Sequence, residues 1–173
     1  MKKVILLGWM LSFFGFVASA SAGFSMHEVA GENVATNTQK HAKFQAMLNK
    51  FEPKKTIWVQ KEARLTEEDI DAAYVDSIET VEDAFAVPPK VIDRQPAVKI
   101  KFKNTSRKKL EKFTSENINK IVAIILDGKI LAAPKGYEAI TDGIILINEN
   151  WTAQEVTHIV NRINEIVKAK KKS

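Results

Sequence analysis

The strongest constraint on the fold of this chain is an Asp-Gly pair between two apolar runs. The two runs consist of aliphatic residues and cover Val122 to Leu126 and Ile130 to Ala133. Asp127 and Gly128 lie between them. A two-residue type I′ turn needs positive φ at both central positions, which Asp and Gly tolerate. The sequence therefore predicts an antiparallel hairpin that turns at Asp127 and Gly128.

Three further segments have the pattern of β-strands. Ile57 to Val59 is a short β-prone run, and Ala97 to Phe102 alternates between apolar residues and lysines, which is typical of a half-buried strand. Ile144 to Ile147 is apolar throughout and follows a predicted turn at Asp142 and Gly143. The alternating strand is expected to bury one face and to leave its lysine face in solvent.

Four segments have helical signals. Apolar residues recur at spacings of three and four from Gln39 to Phe51, and Pro53 is expected to end that helix. Thr66, with Asp69 three residues later, predicts a capped helix that runs to about Asp76.

The other two predicted helices lie in the second half of the chain. Thr105 or Ser106 is expected to cap the third helix, and Thr152 the fourth. Their buried sides are predicted to contain Leu110, Phe113 and Ile118 in the third helix, and Val156, Ile159, Ile163 and Ile166 in the fourth.

These elements predict an α+β fold, a mainly antiparallel sheet with helices packed on one face, in the order β-α-β-α-β-β-β-α. The main domain is expected to span residues 56–168, with an acidic insertion at 77–95 that contains Pro88 and Pro89. This insertion is expected to be an acidic loop, or else a short helix followed by an extended arm. Residues 23–55 are predicted to form a tether, loosely packed over Gly23 to Thr38, followed by the amphipathic helix, and residues 169–173 a basic tail.

The first 22 residues have the pattern of an export signal. Lys2 and Lys3 supply a positive start, Val4 to Val17 is an almost unbroken apolar run, and small residues follow. Cleavage is expected after Ala20 or Ala22, because the apolar run is shorter than the roughly 20 residues of a spanning helix. The alternative, a buried N-terminal helix, explains neither the lysines nor the small residues. No later stretch is apolar enough to span a membrane, so a periplasmic or secreted product is expected.

Composition and motifs give little support to catalysis. The chain has no cysteine, which excludes a disulfide framework, a thiol nucleophile and Cys-ligated zinc. His27, His41 and His158 fall on different predicted elements, so no metal site or catalytic triad can be assembled from them. Ser106 and Lys109 match Ser-x-x-Lys, but the other motifs of serine acyl-enzymes are missing. We therefore expect no enzyme, no metal and no cofactor.

The basic residues allow two interpretations. The formal net charge is +5, and lysines form a cluster at the C-terminal end. Such lysines could contact an anionic membrane surface, or they could simply be a solvated helix end that suits the helix dipole. An exported destination makes nucleic acid an unexpected partner. The candidate contacts with an anionic surface are Lys168, Lys170, Lys171 and Lys172.

Three segments, in order, resemble one family. Ile57 to Ile70, Phe113 to Pro134 and Asn150 to Val156 resemble the head subdomain of the first periplasmic domain of SecD, a protein-export membrane protein that works with SecF. The middle segment contains the Leu-Asp-Gly-Lys hairpin and ends in Ala-Pro, as in that family. The chain departs from the family pattern in two places. Its acidic insertion is longer than the usual loop, and it has the single Gly143 before the strand Ile144 to Ile147, where the family usually has a glycine-rich turn.

The resemblance implies a freestanding, head-like module without the membrane helices of SecD. Because the SecD head is thought to contact emerging polypeptide, the resemblance implies a non-enzymatic module that binds polypeptide or Sec and envelope proteins, through its sheet or by strand addition. The alternative is a structural envelope protein that docks at the membrane surface through its lysines.

Overall fold

The computed structural model describes residues 23–29, 44–48, 56–83 and 90–172. Its strands are β1 (Phe24–Glu28), β2 (Phe44–Leu48), β3 (Thr56–Gln60), β4 (Leu65–Thr66), β5 (Ile70–Asp83), β6 (Lys90–Phe102), β7 (Val122–Leu126), β8 (Lys129–Ala132) and β9 (Ile144–Ile147). Its α-helices are α1 (Arg107–Glu116) and α2 (Ala153–Lys170), and two short 3-10 turns cover Glu67–Asp69 and Asn104–Ser106. The α+β class is therefore confirmed.

Within the described residues the strands form three sheets, all with antiparallel pairing. The central sheet has the order β4-β1-β7-β8, and the hairpin sheet consists of β2 and β3. The ribbon sheet has the order β5-β6-β9. The single sheet expected from the sequence is thus divided into three.

The main core lies between the central sheet, the ribbon sheet and both helices. Phe24 of β1, Phe102 of β6, Phe113 of α1 and Ile163 of α2 are all fully buried in it. A smaller apolar cluster occupies the opposite face of the central sheet, where Val59 of β3 covers β7 and β8. The central sheet is therefore covered on both faces, which explains why β7 reads as an unbroken apolar run.

The predicted Asp-Gly hairpin and the last helix are confirmed. Asp127 has φ 49° and Gly128 has φ 72°, the positive values that a type I′ turn requires. The Thr152 hydroxyl accepts a hydrogen bond from the Glu155 amide, and the Glu155 carboxylate accepts one from the Thr152 amide, so α2 begins with a capping box. The predicted apolar side of α2 is buried: Val156, Ile159, Ile163 and Ile166.

The N-terminal predictions differ from the structure where it is described. The helix predicted from Gln39 to Phe51 is wrong, because residues 44–48 form β2 and pair with β3. The loose lead-in predicted from Gly23 also differs at its start, since β1 pairs with β4 on one side and β7 on the other. The predicted signal peptide, with Ala20 and Ala22, and Pro53 lie outside the described residues.

The helix predicted from Thr66 to Asp76 is wrong beyond its first turn. The capping box of Thr66 and Asp69 is present, but it starts a three-residue 3-10 turn that gives way to β5 at Ile70. Strand β5 pairs with β6 along almost its whole length. The backbone amides and carbonyls that would bond within a helix bond to the neighbouring strand instead.

The acidic loop predicted for residues 77–95 is also wrong in its described parts. Residues 77–83 belong to β5, and residues 90–95 belong to β6. Residues 84–89 lie outside the described residues. Cross-strand pairs such as Glu79 with Arg94 and Thr80 with Asp93 hold this outer part of the ribbon together. The acidic residues therefore lie on strands. The predicted order of elements changes because β5 replaces the second predicted helix and part of the predicted loop.

Two details of the third predicted helix are corrected. Ile118 lies beyond the end of α1 and is 40% exposed, so it does not belong to the core. Ser106 stands at the N-cap position without a side-chain cap, because its hydroxyl donates to Asp69 Oδ1 at 2.8 Å. Thr105 lies within the preceding 3-10 turn.

Candidate functional site

Exposed apolar side chains are concentrated on the two long strands of the ribbon sheet. Among the described residues, nine large hydrophobic side chains are exposed, and six of them lie on β5 and β6. Large apolar patches on a protein surface are typical of interaction sites. The six are Tyr74, Val75, Ile78, Val81, Val91 and Ile92.

A row of side chains crosses the outer face of the ribbon sheet. Tyr74 of β5 pairs with Lys99 of β6, and Lys99 pairs with Leu146 of β9, so the three side chains point to the same face. Tyr74 is 47% exposed and Leu146 is 45% exposed. Asp76 and Ile78 follow Tyr74 at intervals of two along β5 and share this face. We call Tyr74, Asp76, Ile78, Lys99 and Leu146 the ribbon face.

The charges on and beside the ribbon face are paired locally. Lys99 donates to Asp76 Oδ2 at 2.9 Å, and Lys101 donates to Asp71 Oδ2 at 3.0 Å. The hydrogen bond from Lys99 lowers the pKa of Asp76, and the one from Lys101 lowers the pKa of Asp71. The lysines predicted to lie on a solvated face do so, and they neutralise carboxylates there. The tyrosine, isoleucine and leucine are left as the apolar contact groups.

The two ribbon strands differ in charge. Strand β5 carries five acidic side chains and no basic one, whereas β6 carries four basic side chains and one acidic one. Arg94 on β6 donates to Glu79 on β5 at 2.7 Å and offsets part of this difference. Because β5 is the outermost strand of its sheet, its acidic character lies at the edge.

The turn residues singled out in the sequence have structural partners. Asp127 accepts two hydrogen bonds from Arg162 of α2, at 2.7 and 3.0 Å, and these bonds lower its pKa. Asp142 accepts a hydrogen bond from the Ile144 amide at 3.0 Å, and Gly143 has φ 79°. A side chain on Gly143 would also collide with Arg107. These groups stabilise turns and are not members of the ribbon face.

The C-terminal lysines are only partly free of partners. Lys170 approaches Glu68 at 3.3 Å and Glu67 at 3.7 Å, so it ties the end of α2 to the first 3-10 turn. Lys168, Lys171 and Lys172 are exposed, and the charge of Lys171 contributes to the lowered pKa of Asp71. Their contact with an anionic surface stays a prediction.

The Ser-x-x-Lys motif belongs to a buried carboxylate network. Lys109 donates to Asp69 Oδ2 at 2.6 Å, and Ser106 donates to the other oxygen of the same carboxylate. Burial raises the pKa of Asp69, but the bonds from Lys109, the Thr66 amide and Ser106 outweigh it and hold the pKa below its ordinary value. Ser106 and Lys109 thus both serve the same acid and form no nucleophile pair.

The described histidines do not assemble a metal site. His27 is buried on β1 and bonds to the Gln60 carbonyl and the Ser25 hydroxyl, whereas His158 is exposed on α2. His41 lies outside the described residues. Across the part of the chain that the structure describes, no group of three His, Asp or Glu side chains could hold a metal ion.

A depression of about 430 Å³ lies at the start of α2. Trp151, Gln154, Glu155, His158 and Ile159 line it. Trp151 is buried, and its Nε1 has no hydrogen-bond partner among the described residues. Glu155 is already engaged in the capping box. The remaining polar groups of the lining belong to Gln154, His158 and Trp151.

The ribbon face was not predicted from the sequence, although a signal for its strands is present. Tyr74, Val75, Ile78 and Val81 on one side of Pro88-Pro89 and Val91-Ile92 on the other are β-prone residues that flank a turn signal. The intervening acids drew the segment into a loop prediction. Strand β8 lies at the edge of the central sheet, and its side chains are buried at Ile130, Leu131 and Ala132. In the described ranges, no helix has both the length and the apolar character needed to cross a membrane.

Most of the described fold matches a known protein family. Residues 42–165 match the family described as SecDF, P1 head subdomain. The protein translocase subunit SecD of Acidaminococcus fermentans is 38% identical over 65 residues, which is 38% of this chain and 16% of that protein. SecD of Aquifex aeolicus is 44% identical over 61 residues, or 35% of this chain and 12% of that protein. The matched segments thus span less than a fifth of these relatives.

Comparison with solved structures agrees at the level of the fold. A crystal structure of SecDF in its super-membrane-facing form superposes with a TM-score of 0.53 at 24% identity. The superposition covers 83% of this chain and 18% of the SecDF chain. At this identity the likeness supports the arrangement of strands and helices, and it carries no residue-level role.

Proposed function

From the premise that the chain belongs to the SecDF P1 head subdomain family, we propose that it takes part in protein export as a binding module for polypeptide. Its matched relatives are protein translocase subunits. The binding would take place on the periplasmic side of the membrane, after export directed by the N-terminal segment. In this role the chain contacts other proteins and transforms none of them.

The observation that carries this proposal is the unequal distribution of exposed apolar side chains. The ribbon face presents Tyr74, Ile78 and Leu146 to solvent, whereas no large hydrophobic side chain of β1, β4, β7 or β8 is exposed. An unfolded polypeptide exposes apolar side chains of its own, so contact between the two surfaces removes apolar area from water on both sides. The local pairing of Lys99 with Asp76 keeps this face close to neutral, which suits partners of varied sequence.

The proposal is tested by binding to a permanently unfolded polypeptide. Reduced, carboxymethylated α-lactalbumin serves as the probe, and its binding to the full chain is measured by biolayer interferometry. The double variant Tyr74→Ser, Ile78→Ser removes two apolar groups from the ribbon face. We expect it to weaken binding by about tenfold, which corresponds to roughly 1.4 kcal/mol.

The matched control is Tyr137→Ser. Tyr137 is 80% exposed and lies outside the strands, so its replacement removes a comparable aromatic group from a different surface. We expect this variant to bind the probe as the wild type does. Equal loss in both variants, or no binding of the probe to the wild-type chain, would overturn the proposed function.

A further inference from the structure

We propose that the outer edge of β5 captures an extended, basic segment of another polypeptide by strand addition. This inference rests on the proposed function and specifies how and what the module binds. Three features of the described residues support it: the direction of the backbone groups of β5, the point at which the edge is closed, and the charge of the strand.

The direction of the backbone groups follows from one side-chain contact. Asn164 of α2 accepts a hydrogen bond from the Ala73 amide and donates one to the Ala73 carbonyl, both at 2.9 Å. Both groups of Ala73 therefore point away from β6. In an antiparallel ladder this direction alternates along the strand, and no bulge interrupts the pairing between Ala72 and Thr80. The amides and carbonyls of Val75, Ser77 and Glu79 thus point outward as well.

The outer edge of β5 is closed to an added strand at Ala73, and one of its outward amides farther along, that of Ser77, already has a partner. Asn164 occupies Ala73 as a neighbouring strand would, so an added strand cannot extend inward past this residue. The Ser77 amide donates to Asp76 Oδ1 at 2.8 Å, which satisfies one outward donor locally. The outward groups of Val75 and Glu79 have no strand beside them in the described part of the chain. An unpaired strand edge of this kind is a template for another chain.

The charge of β5 selects the occupant. Strand β5 has five acidic side chains and no basic one. Basic side chains of β6 pair with three of these acids, Asp71, Asp76 and Glu79. A second copy of β5 would bring two acid-rich strands together and add no basic side chain between them, which disfavours pairing. A segment that carries Lys or Arg between apolar residues instead places opposite charges beside the strand. Val75, which is 53% exposed, and Ile78, which is 38% exposed, offer apolar neighbours to alternate residues of such a segment. The edge therefore fits an extended basic peptide better than a second copy of this chain.

The decisive experiment uses backbone-modified peptides. The probe is a short, fluorescently labelled peptide with blocked ends in which Val and Lys alternate, and its affinity for the full chain is measured by fluorescence anisotropy. A copy that is N-methylated at successive central residues keeps the side chains but loses the amide donors on both edges. We expect N-methylation to weaken binding by about tenfold or more, and replacement of every Lys by Glu to do the same.

A protein variant addresses the edge itself. Val75→Pro removes an amide that does not bond to β6, and proline is tolerated on an edge strand in that orientation. Its control, Val75→Thr, keeps the amide and the β-branched shape. We expect the proline variant to bind the Val-Lys peptide about fivefold more weakly and the threonine variant to bind it within about twofold of wild type. If the proline variant does not fold, as judged by circular dichroism, the N-methylated peptide still decides the question.

The possible failures are distinguishable. Equal binding of the N-methylated and unmodified peptides would overturn strand addition, while binding of unfolded α-lactalbumin would leave the proposed function standing. Reversible dimerisation of the wild-type chain that Val75→Pro abolishes, seen by sedimentation, would identify a second copy as the occupant and overturn the assignment. Absence of binding to both unfolded α-lactalbumin and the Val-Lys peptide would remove the proposed function and this inference with it.

Discussion

The central sheet and the ribbon sheet contain similar β-prone side chains but cover them to different extents. In β7 of the central sheet, Val122 to Ile125 are buried by the main core on one face and by β3 on the other. In the outer part of the ribbon, Tyr74, Val75 and Ile78 are exposed. The difference lies in the neighbouring elements and not in the residue types.

The contrast indicates that the central sheet stabilises the fold and that the outer ribbon is available for binding. Burial of aliphatic side chains contributes most of the stability of a fold of this size, and the central sheet supplies it on both faces. The outer ribbon contributes little burial, yet its long ladder with β6 keeps the strand extended. An extended strand with exposed apolar side chains is suited to binding another chain without rearrangement.

The largest expected effect comes from a truncation in the central sheet. Ile124→Ala removes a fully covered side chain that is 2% exposed, and we expect it to lower the free energy of unfolding by about 2–5 kcal/mol. The matched variant is Ile78→Ala on the ribbon face, where 38% exposure predicts a loss of less than about 1 kcal/mol. Urea denaturation followed by circular dichroism measures both. Similar losses in the two variants would break the comparison.

The second prediction concerns the contact between α2 and β5 of the ribbon sheet. Asn164→Ala leaves the amide and carbonyl of the buried Ala73 without their partner, and an unsatisfied buried polar group costs about 1–3 kcal/mol. We expect a destabilisation of that size in the same denaturation assay. Asn161→Ala is the control, because Asn161 is exposed on the same helix. If both variants unfold at the same urea concentration, Asn164 does not close the edge of β5.

Local signals in the sequence were sufficient for part of the fold. The Asp127-Gly128 turn and the capping box of Thr152 and Glu155 each depend on neighbours in the chain, and both were predicted correctly. Helix α2 also has a long stripe of apolar residues with a clear period. Such elements can be derived from sequence because their stabilising contacts are close along the chain.

The strands β2 and β5 could not be derived in the same way. Apolar residues spaced by three and four in Gln39 to Phe51 predicted a helix, and so did the Thr66 cap. In both places the next strand in the chain supplies the backbone hydrogen bonds, β3 for β2 and β6 for β5. The candidate site was missed for a related reason. Whether Val75 or Ile78 is exposed depends on where β6, β9 and α2 end, which no local pattern records.

The smallest expected effect is a pH dependence at the covering of the central sheet. His27 Nδ1 lies 2.6 Å from the Gln60 carbonyl of β3, which can only accept, so the ring nitrogen donates. Nε2 lies 2.8 Å from the Ser25 hydroxyl, which can donate to it in the neutral ring. Burial lowers the pKa of His27 below 6.5, and the bond to the Gln60 carbonyl opposes this only in part. The fold therefore favours the neutral imidazole.

The sign of the pH effect follows from this lowered pKa. Below pH 6.5 the unfolded chain takes up a proton at His27 more readily than the folded chain, so the free energy of unfolding falls with acidification until the pH passes the folded-state pKa. One proton limits the slope to about 1.4 kcal/mol per pH unit. We expect His27→Gln to reduce this slope in urea denaturation between neutral and mildly acidic pH, and His158→Gln, at an exposed position of α2, to retain it. If the slope of the wild type is also found in His27→Gln, protonation of His27 does not weaken the contact between β1 and β3.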